Sequence, residues 1–480
     1  MSRIVKDSVF TTSAFFAERG MGFIRELVLA GLLGPTYMGL RNAIIMMNNY
    51  SSYLYFGMNQ EAYRRVAGAY EKRPEYAQMS HKLLASWGFI SSMLIALIIL
   101  AFAFLSHYTL EFKLALVILA FTVPVMINCN PMAYYLMAIG KFKKTSTIEA
   151  VKVLIDTLIT ILLAYQFGFL GAIAGLLIAL VVRLVLYRNA FGACGIPFEW
   201  DYFIRKFNDF KAMLTDGLRL FVTSISSTIY MQVDSLIAVL MLGPAALGIY
   251  GIATTINSLI YGTYGSTIIP AGQRMYKSAD DDKKLKRYLD MLSGFSSYLM
   301  VFPIALIVFI SPFIIGTLIP AFADAIPIIG VLAIASFFNV TLNPITNYVM
   351  AKRRENLITS STLIAAGINI ILSLYLISLG YGLMGVCYAT AISYFINFML
   401  LITLSKALEW HKILEDLIPL AYLILLLYSW DSGPLIPLLL TLIYMPILYI
   451  VFRSRGISGY ALSILRDAKR KYFNHWPKSP

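Results

Sequence analysis

Charge is scarce in this chain. Only 13% of its 480 residues are Asp, Glu, Lys or Arg, whereas 59% are hydrophobic and the mean hydropathy is +0.74. No soluble domain has an interior large enough for that much apolar surface, but lipid solvates it readily. Cysteine is nearly absent. Cys129, Cys194 and Cys387 lie far apart, without metal-ligand spacing or a disulfide framework, and read as small packing residues. The four histidines are equally scattered, so neither a metal centre nor a cofactor is expected. Carboxylates are missing where a membrane glycosyltransferase, polymerase or ligase would need them. The longest connection on the predicted outer side, about 311–325, holds only Asp324 as an ionisable residue, so no acid–base pair is available and the chain is not expected to be an enzyme. A cleavable signal peptide is not expected either. The first apolar segment carries Glu18, Arg19, Arg25 and Glu26, which the apolar core of a signal peptide would not.

What is present is a net charge of +14, and its placement excludes nucleic acid as the partner. Basic residues gather in short connections between apolar segments and in the tail from Arg453 to Lys478. At about 20 residues per span, fourteen segments qualify: 8–33, 38–58, 83–106, 112–138, 146–166, 170–190, 213–242, 246–268, 289–311, 326–350, 357–379, 382–404, 413–430 and 434–452. With the N-terminus in the cytoplasm, every inside connection is basic, for example Arg64, Arg65, Lys72 and Arg73, or Lys352, Arg353 and Arg354. The outside connections carry almost no basic residue, Lys113 excepted, as the positive-inside rule requires. The expectation is a multi-pass protein of the cytoplasmic (inner) membrane with both termini in the cytoplasm. The thirteenth span begins with Glu415 and Asp416.

A short phrase occurs twice. Leu33-Gly34-Pro35 is followed by Gly39, and Leu242-Gly243-Pro244 by Gly248, an offset of 243 − 34 = 209. Asn48 then falls on Asn257. Asn130-Pro131 matches Asn343-Pro344 at offset 213, and Gly168-Phe169-Leu170-Gly171 matches Gly382-Leu383-Met384-Gly385 at offset 214. Each repeat spans the membrane six times, so both halves share one orientation. The predicted fold class is an all-α integral membrane protein with about 14 transmembrane helices. Two six-helix lobes, residues 1–211 and 212–406, are related by a pseudo-two-fold axis. Residues 407–480 add two C-terminal helices and a basic tail.

Ionisable groups inside the bilayer usually face protein or a wet cavity. At about 100° per residue, Glu18, Arg19, Gly22, Arg25 and Glu26 share one face of the first span. Arg41, Asn48, Asn49, Ser52 and Tyr55 share a face of the second. Asp216, Arg219, Thr223, Ser226, Ser227, Tyr230 and Asp234 do so in the seventh, and Tyr250, Thr254, Asn257, Tyr261 and Tyr264 in the eighth. The simplest arrangement turns these four stripes toward one another across a wet path. Arg25 and Asp234 each lie nine residues before the repeated glycine, at similar depth and with opposite charge, and a pairing between them is one reading. Pairs of Glu18 with Arg25 and Arg19 with Glu26 are another. In the fifth span Lys152 and Asp156 are spaced to pair locally, and Asn130-Pro131 and Asn343-Pro344 mark kinks. A purely structural scaffold is the poorest reading, because buried charge is a costly way to build one.

These residues resemble the multidrug/oligosaccharidyl-lipid/polysaccharide (MOP) exporter superfamily. The Leu-Gly-Pro-x-x-x-Gly phrases, and Gly57-Met58-Asn59 followed by Arg64-Arg65, are similar to the polysaccharide transporter branch with its Wzx-type flippases. The run Arg19-Gly20-Met21-Gly22-Phe23-Ile24-Arg25-Glu26 resembles the first helix of MurJ-type lipid II flippases, but after Gly34 the chain departs from that branch. The resemblance implies a central cavity lined by helices 1, 2, 7 and 8, alternating access, and a polyprenyl-diphosphate-linked oligosaccharide as substrate, for cell-surface polysaccharide synthesis. In the MurJ branch it gives the positions of Arg19 and Arg25 to the diphosphate and the last two helices to the lipid tail. The expected diphosphate contacts are Arg25, Arg19 and Arg41, then Arg219, because guanidinium binds phosphate oxygens in pairs and stays protonated. Asn48, Asn257, Tyr230 and Tyr261 are expected on the sugar. Asp234 is the foremost ion-coupling or gating candidate, followed by Glu18, Glu26 and Asp156. Partners are the lipid-linked oligosaccharide, membrane lipids, and polysaccharide polymerase or assembly proteins. The competing readings are a cation-coupled drug exporter, whose cationic cargo these arginines would oppose, and a lipid II flippase.

Overall fold

The computed structural model describes residues 2–70, 72–191, 200–278, 280–428 and 435–454, and among them there is no strand. The helices are α1 (Ser2–Tyr50), α2 (Met58–Ala69), α3 (Pro74–Leu105), α4 (Leu110–Ala138), α5 (Phe142–Phe191), α6 (Trp200–Arg205), α7 (Phe207–Ile237), α8 (Pro244–Lys277), α9 (Asp282–Leu318), α10 (Ala325–Ala351), α11 (Glu355–Ser378), α12 (Gly382–Ser405), α13 (Trp410–Tyr428) and α14 (Leu435–Ser454). The predicted spans fall on these helices, with α1 and α5 supplying two each. Among the described residues eight helices are long and apolar enough to cross a membrane by length and composition alone. The charges between Glu18 and Glu26 set α1 apart from them. The short helices α2 and α6 lie in basic connections that the hydropathy reading had left without structure.

The internal repeat is written into the backbone. Gly34 breaks α1 with φ 70° and ψ 174°, and Gly243 precedes α8 with φ 91° and ψ 179°. Only glycine adopts that conformation without strain, and the proline after each glycine restarts a helix with its φ already set. Gly168 breaks α5 at φ 58°, and its equivalent Gly382 has φ 53°. The ends of α4 and α10 match bond for bond. Lys141 N donates to Leu136 O and Gly140 N to Met137 O; Arg354 N donates to Val349 O and Arg353 N to Met350 O. Both are Schellman closures, with Gly140 and Arg353, 353 − 140 = 213 apart, in the left-handed region.

The chain divides into two compact units. The first comprises residues 1–255 with 314–325. Its α5 hairpin closes where Gly171 meets the Leu163 backbone and Gly175 meets Thr160, and Lys144 Nζ caps the far end on the Ala190 carbonyl at 2.8 Å. Cys129, Met132, Ala133, Leu136, Ile148 and Tyr187 form an apolar cluster between α4 and α5. The second unit comprises residues 256–313 with 326–480. There the acidic start of α13 is explained. Asp416 is fully buried and accepts hydrogen bonds from Ser293 and from Ser297 (3.2 Å) of α9, while Lys412 pairs with Asp290. Tyr444 of α14 stacks on Tyr422 with centroids 4.2 Å apart and donates to the Tyr298 carbonyl at 2.9 Å.

Candidate functional site

The reversal at Gly34 lays Glu26 beside Arg41. The two residues stand 34 − 26 = 8 and 41 − 34 = 7 positions from the turn, so the hairpin brings them level. Arg41 Nη1 and Nη2 donate to Glu26 Oε2 and Oε1 at 2.7 and 3.0 Å, a two-point ion pair with Arg41 3% exposed. Arg25 donates to Glu26 Oε1 from Nε and Nη2, at 3.2 and 2.9 Å, and pairs through Nη1 with Asp156 of α5. Asp156, 1% exposed, also accepts from Lys152 Nζ at 3.0 Å and from Thr160 Oγ1 at 3.1 Å.

One network therefore joins Arg25, Glu26, Arg41, Lys152 and Asp156. Within hydrogen-bonding distance its three cations face two carboxylates, a surplus of one positive charge in the bonded set, with Glu18 in electrostatic reach of Lys152. A guanidinium carries five N–H donors, so Arg25 and Arg41 retain donors after these bonds. Glu149 forms a second cluster on the α5 hairpin. Arg183 donates to it at 3.0 and 2.6 Å, Tyr187 donates at 2.7 Å, and the Arg183 guanidinium lies over the Tyr187 ring.

The expected pairings need correction. Arg25 takes Asp156 and Glu26, not Asp234 or Glu18, and Glu26 takes both arginines of its hairpin rather than Arg19. The reason is distance. Residues seven apart on one helix are separated by about 10 Å along its axis, whereas the hairpin and α5 bring oppositely charged groups into contact. Glu18 and Arg19 are both exposed. Lys152 and Asp156 do pair, but Asp156 also joins α5 to α1. Asp234 is 1% exposed and accepts from Tyr250 at 3.0 Å. Tyr230 and Asn257 are buried. The side chains of Arg219 and Tyr261 lie outside the described residues.

Two close seams join α1 to α8 and the segment from Tyr53 through α2 to α7. In the first, the repeated phrases meet reciprocally. A Cβ on Gly39 would collide with the Pro244 carbonyl, and one on Gly248 would collide with the Pro35 carbonyl. Small residues are placed where helix backbones touch. In the second, Gly57 (φ 76°) packs against Gly217 and the Phe221 backbone. Tyr53 hydrogen-bonds Thr228, the Phe56 and Phe221 rings lie 5.5 Å apart, and Arg65 Nη2 reaches Asp216 at 2.8 Å. Between the seams lies a cavity of about 280 Å³ lined by Asn49, Tyr50, Ser52, Tyr53, Met126, Asn130 and Gln232. Asn48, expected there, is buried behind it with Nδ2 on Met126 Sδ at 3.0 Å; its neighbour Asn49 lines the wall.

The model of one family, described as polysaccharide biosynthesis protein, matches residues 4–275. The chain belongs to that family. Within the family's matched region lie the charged network, both seams and the cavity. A stretch of 263 residues is 28% identical to the uncharacterized membrane protein EpsK of Bacillus subtilis strain 168. That match spans 52% of this chain and 50% of EpsK, so it reaches about half the length of the relative. Among solved structures, the lipid II flippase MurJ in an inward closed conformation superposes with a TM-score of 0.71, covering 95% of this chain and all of that one at 17% identity. An inward-facing MATE multidrug resistance transporter of the MOP superfamily gives 0.62 over 82% and 94% of the chains at 14% identity. The fold is thus the one these MurJ and MATE structures share. The family is one of polysaccharide biosynthesis, and eight helices among the described residues are long and apolar enough to cross a membrane.

Proposed function

We propose that this protein moves a polyprenyl-diphosphate-linked oligosaccharide from the cytoplasmic to the outer leaflet by alternating access, both termini lying in the cytoplasm of an inner-membrane protein. The observation that carries the reading is the cationic surplus of Arg25, Arg41 and Lys152 over Glu26 and Asp156 inside membrane-spanning helices. Buried charge is tolerated in a membrane when it is paired or when it serves transport, and guanidinium groups that keep free donors after pairing suit an anionic cargo. A diphosphate cannot cross hydrocarbon unaided, because an ionised group in an apolar medium is far too costly. Arg25 and Arg41 receive the phosphate oxygens, and Arg19 and Arg219 remain further candidate contacts. The prenyl chain stays in lipid.

Two seams and one cavity suit an alternating path. The Gly39–Gly248 contact closes the outer side and the Gly57–Gly217 contact, latched by Arg65 and Asp216, the inner side. Parting one while the other holds exposes the cavity to one leaflet at a time. Asp234, buried against Tyr250, is the group whose protonation or sodium binding drives the exchange. The test is selectivity in reconstituted vesicles. Binding of a polyprenyl-diphosphate oligosaccharide should be displaced by bare polyprenyl diphosphate and not by ethidium; displacement by ethidium alone would favour a drug exporter.

A further inference from the structure

The turn between α4 and α5 carries charge of one sign. It reads Ile139-Gly140-Lys141-Phe142-Lys143-Lys144, and no carboxylate occurs between Glu111 and Glu149. The Schellman closure at Gly140 ends α4, and α5 starts two residues later, so a fixed turn rather than a loose loop presents these lysines. All three are exposed. The far end of α5 joins them. Lys144 Nζ donates to the Ala190 carbonyl at 2.8 Å, which brings Arg188, two residues earlier and also exposed, to the same end of the hairpin. The next carboxylate along α5, Glu149, is engaged by Arg183 and Tyr187. Other basic turns on the predicted cytoplasmic side differ. The repeat's counterpart, Lys352-Arg353-Arg354, runs directly into Glu355, and Lys352 pairs with Asp282. The α2–α3 turn, which adjoins α4 through the Tyr70 and Tyr135 rings 6.2 Å apart, sets Lys72 and Arg73 between Glu71 and Glu75. Those turns bring their own carboxylates; the α4–α5 turn does not.

Phe142 stands between Lys141 and Lys143 and is 43% exposed. A soluble anion has no use for that ring. A lipid does: the ring enters the boundary between headgroups and acyl chains, while the ammonium and guanidinium groups meet phosphate. A zwitterionic lipid brings its own cation, so an anionic one is the better complement, and each Lys or Arg beside such a surface strengthens binding about fivefold. We propose that the cytoplasmic end of the α5 hairpin, comprising Lys141, Phe142, Lys143, Lys144 and Arg188, is a docking site for one anionic phospholipid of the cytoplasmic leaflet. It is separate from the charged network, because Asp156 lies 156 − 144 = 12 residues further along α5, about 18 Å. The inference goes beyond the flippase reading. It needs this turn on the cytoplasmic side but no particular cargo.

The test measures equilibrium binding of fluorescent phosphatidylglycerol and phosphatidylcholine, with identical acyl chains, to purified full-length protein in neutral detergent. The parent should prefer phosphatidylglycerol about tenfold or more, and added salt should shrink that preference. A Lys141→Gln, Lys143→Gln, Arg188→Gln triple variant, melting as the parent does, should reduce it to about twofold or less. Lys141→Arg with Lys143→Arg should keep it. Lys72→Gln with Arg73→Gln, in the balanced turn, should leave it within about twofold of the parent. Phe142→Ser should weaken both lipids alike. The site is refuted if the parent shows no preference, if the preference survives the triple substitution, or if the Lys72, Arg73 variant loses it equally, which would make the effect a property of the whole basic surface. Displacement of phosphatidylglycerol by inorganic phosphate at about 1 mM and constant ionic strength would also refute it, since the site would then be one for free anions. Arg25→Gln should leave the preference intact; its loss would put the bound lipid in the cargo path instead. Failure of the flippase reading looks different: it would leave the phosphatidylglycerol preference and its loss in the triple variant unchanged.

Discussion

Asp156 separates a site that binds charge from one that merely holds helices together. It is 1% exposed and accepts from Arg25, Lys152 and Thr160. Asp156→Asn removes one carboxylate and raises the local surplus from one positive charge to two. Arg25→Gln removes one cation and brings it to zero. Each change breaks a buried ion pair, so each should destabilise the fold by about 3–5 kcal/mol, in the same direction. Their effects on an anion should oppose each other. A unit charge about 6 Å from a phosphate, at an effective dielectric of about 20, contributes about 3 kcal/mol, and screening reduces this to roughly a 10- to 100-fold change in affinity. Binding of polyprenyl diphosphate, with thermal unfolding followed in parallel, gives both readouts. Asp156→Asn should lower the melting temperature yet tighten binding; Arg25→Gln should lower both. Glu26→Gln repeats the first test at a second position. If both carboxylate substitutions weaken binding as Arg25→Gln does, the network is structural and the cationic-surplus argument fails.

Other substitutions address the rest of the molecule. Gly39→Val pushes its side chain into the Pro244 carbonyl and should hold the outer seam apart; overpacking costs about 1–3 kcal/mol, seen as greater labelling of a cysteine placed at position 35 by an impermeant thiol reagent, with translocation falling about tenfold. Asp216→Ala should change transport less than about fivefold, because Asp216 is 53% exposed and Arg65 keeps its second partner Glu61, and exposed pairs contribute about 1 kcal/mol or less; a complete loss would make this latch more than an accessory. Glu149→Ala leaves Arg183 without its carboxylate and should cost about 3 kcal/mol, whereas adding Arg183→Leu should recover most of that, because no unmatched charge remains; equal melting temperatures for the single and double variants would contradict the pairing.

The repeat made the architecture legible. Gly34 and Gly243 announced matching turns because glycine before proline has few structural uses in an apolar run, and the backbone angles agree. Glu26 with Arg41 was also within reach, since a hairpin centred on Gly34 places them level, but reading each span as a separate wheel concealed it. Arg183 was missed for the same reason: the turn at Gly168 brings it near Glu149. Arg25 with Asp156 was beyond sequence reasoning, because nothing in either segment says that α5 packs on α1. The exchange of Asn48 for Asn49 at the cavity has a local cause. Both lie on one predicted face inside α1, and a wheel at about 100° per residue does not say which of two adjacent residues on the face is turned to Met126 and which to the cavity. Asn130 was read only as part of a kink, and no single-helix pattern connects it with Gln232.

Translocation itself tests the central claim most directly. Sealed vesicles containing the purified protein and a fluorescent polyprenyl-diphosphate oligosaccharide in both leaflets are treated with an impermeant quencher, and the protected fraction is followed over time. The protein should make the inner pool accessible, and the Arg25→Gln, Arg41→Gln double variant, still folded, should leave about half the fluorescence protected as protein-free vesicles do. Equal rates for the double variant and the parent would mean that the membrane-embedded cations do not carry the substrate.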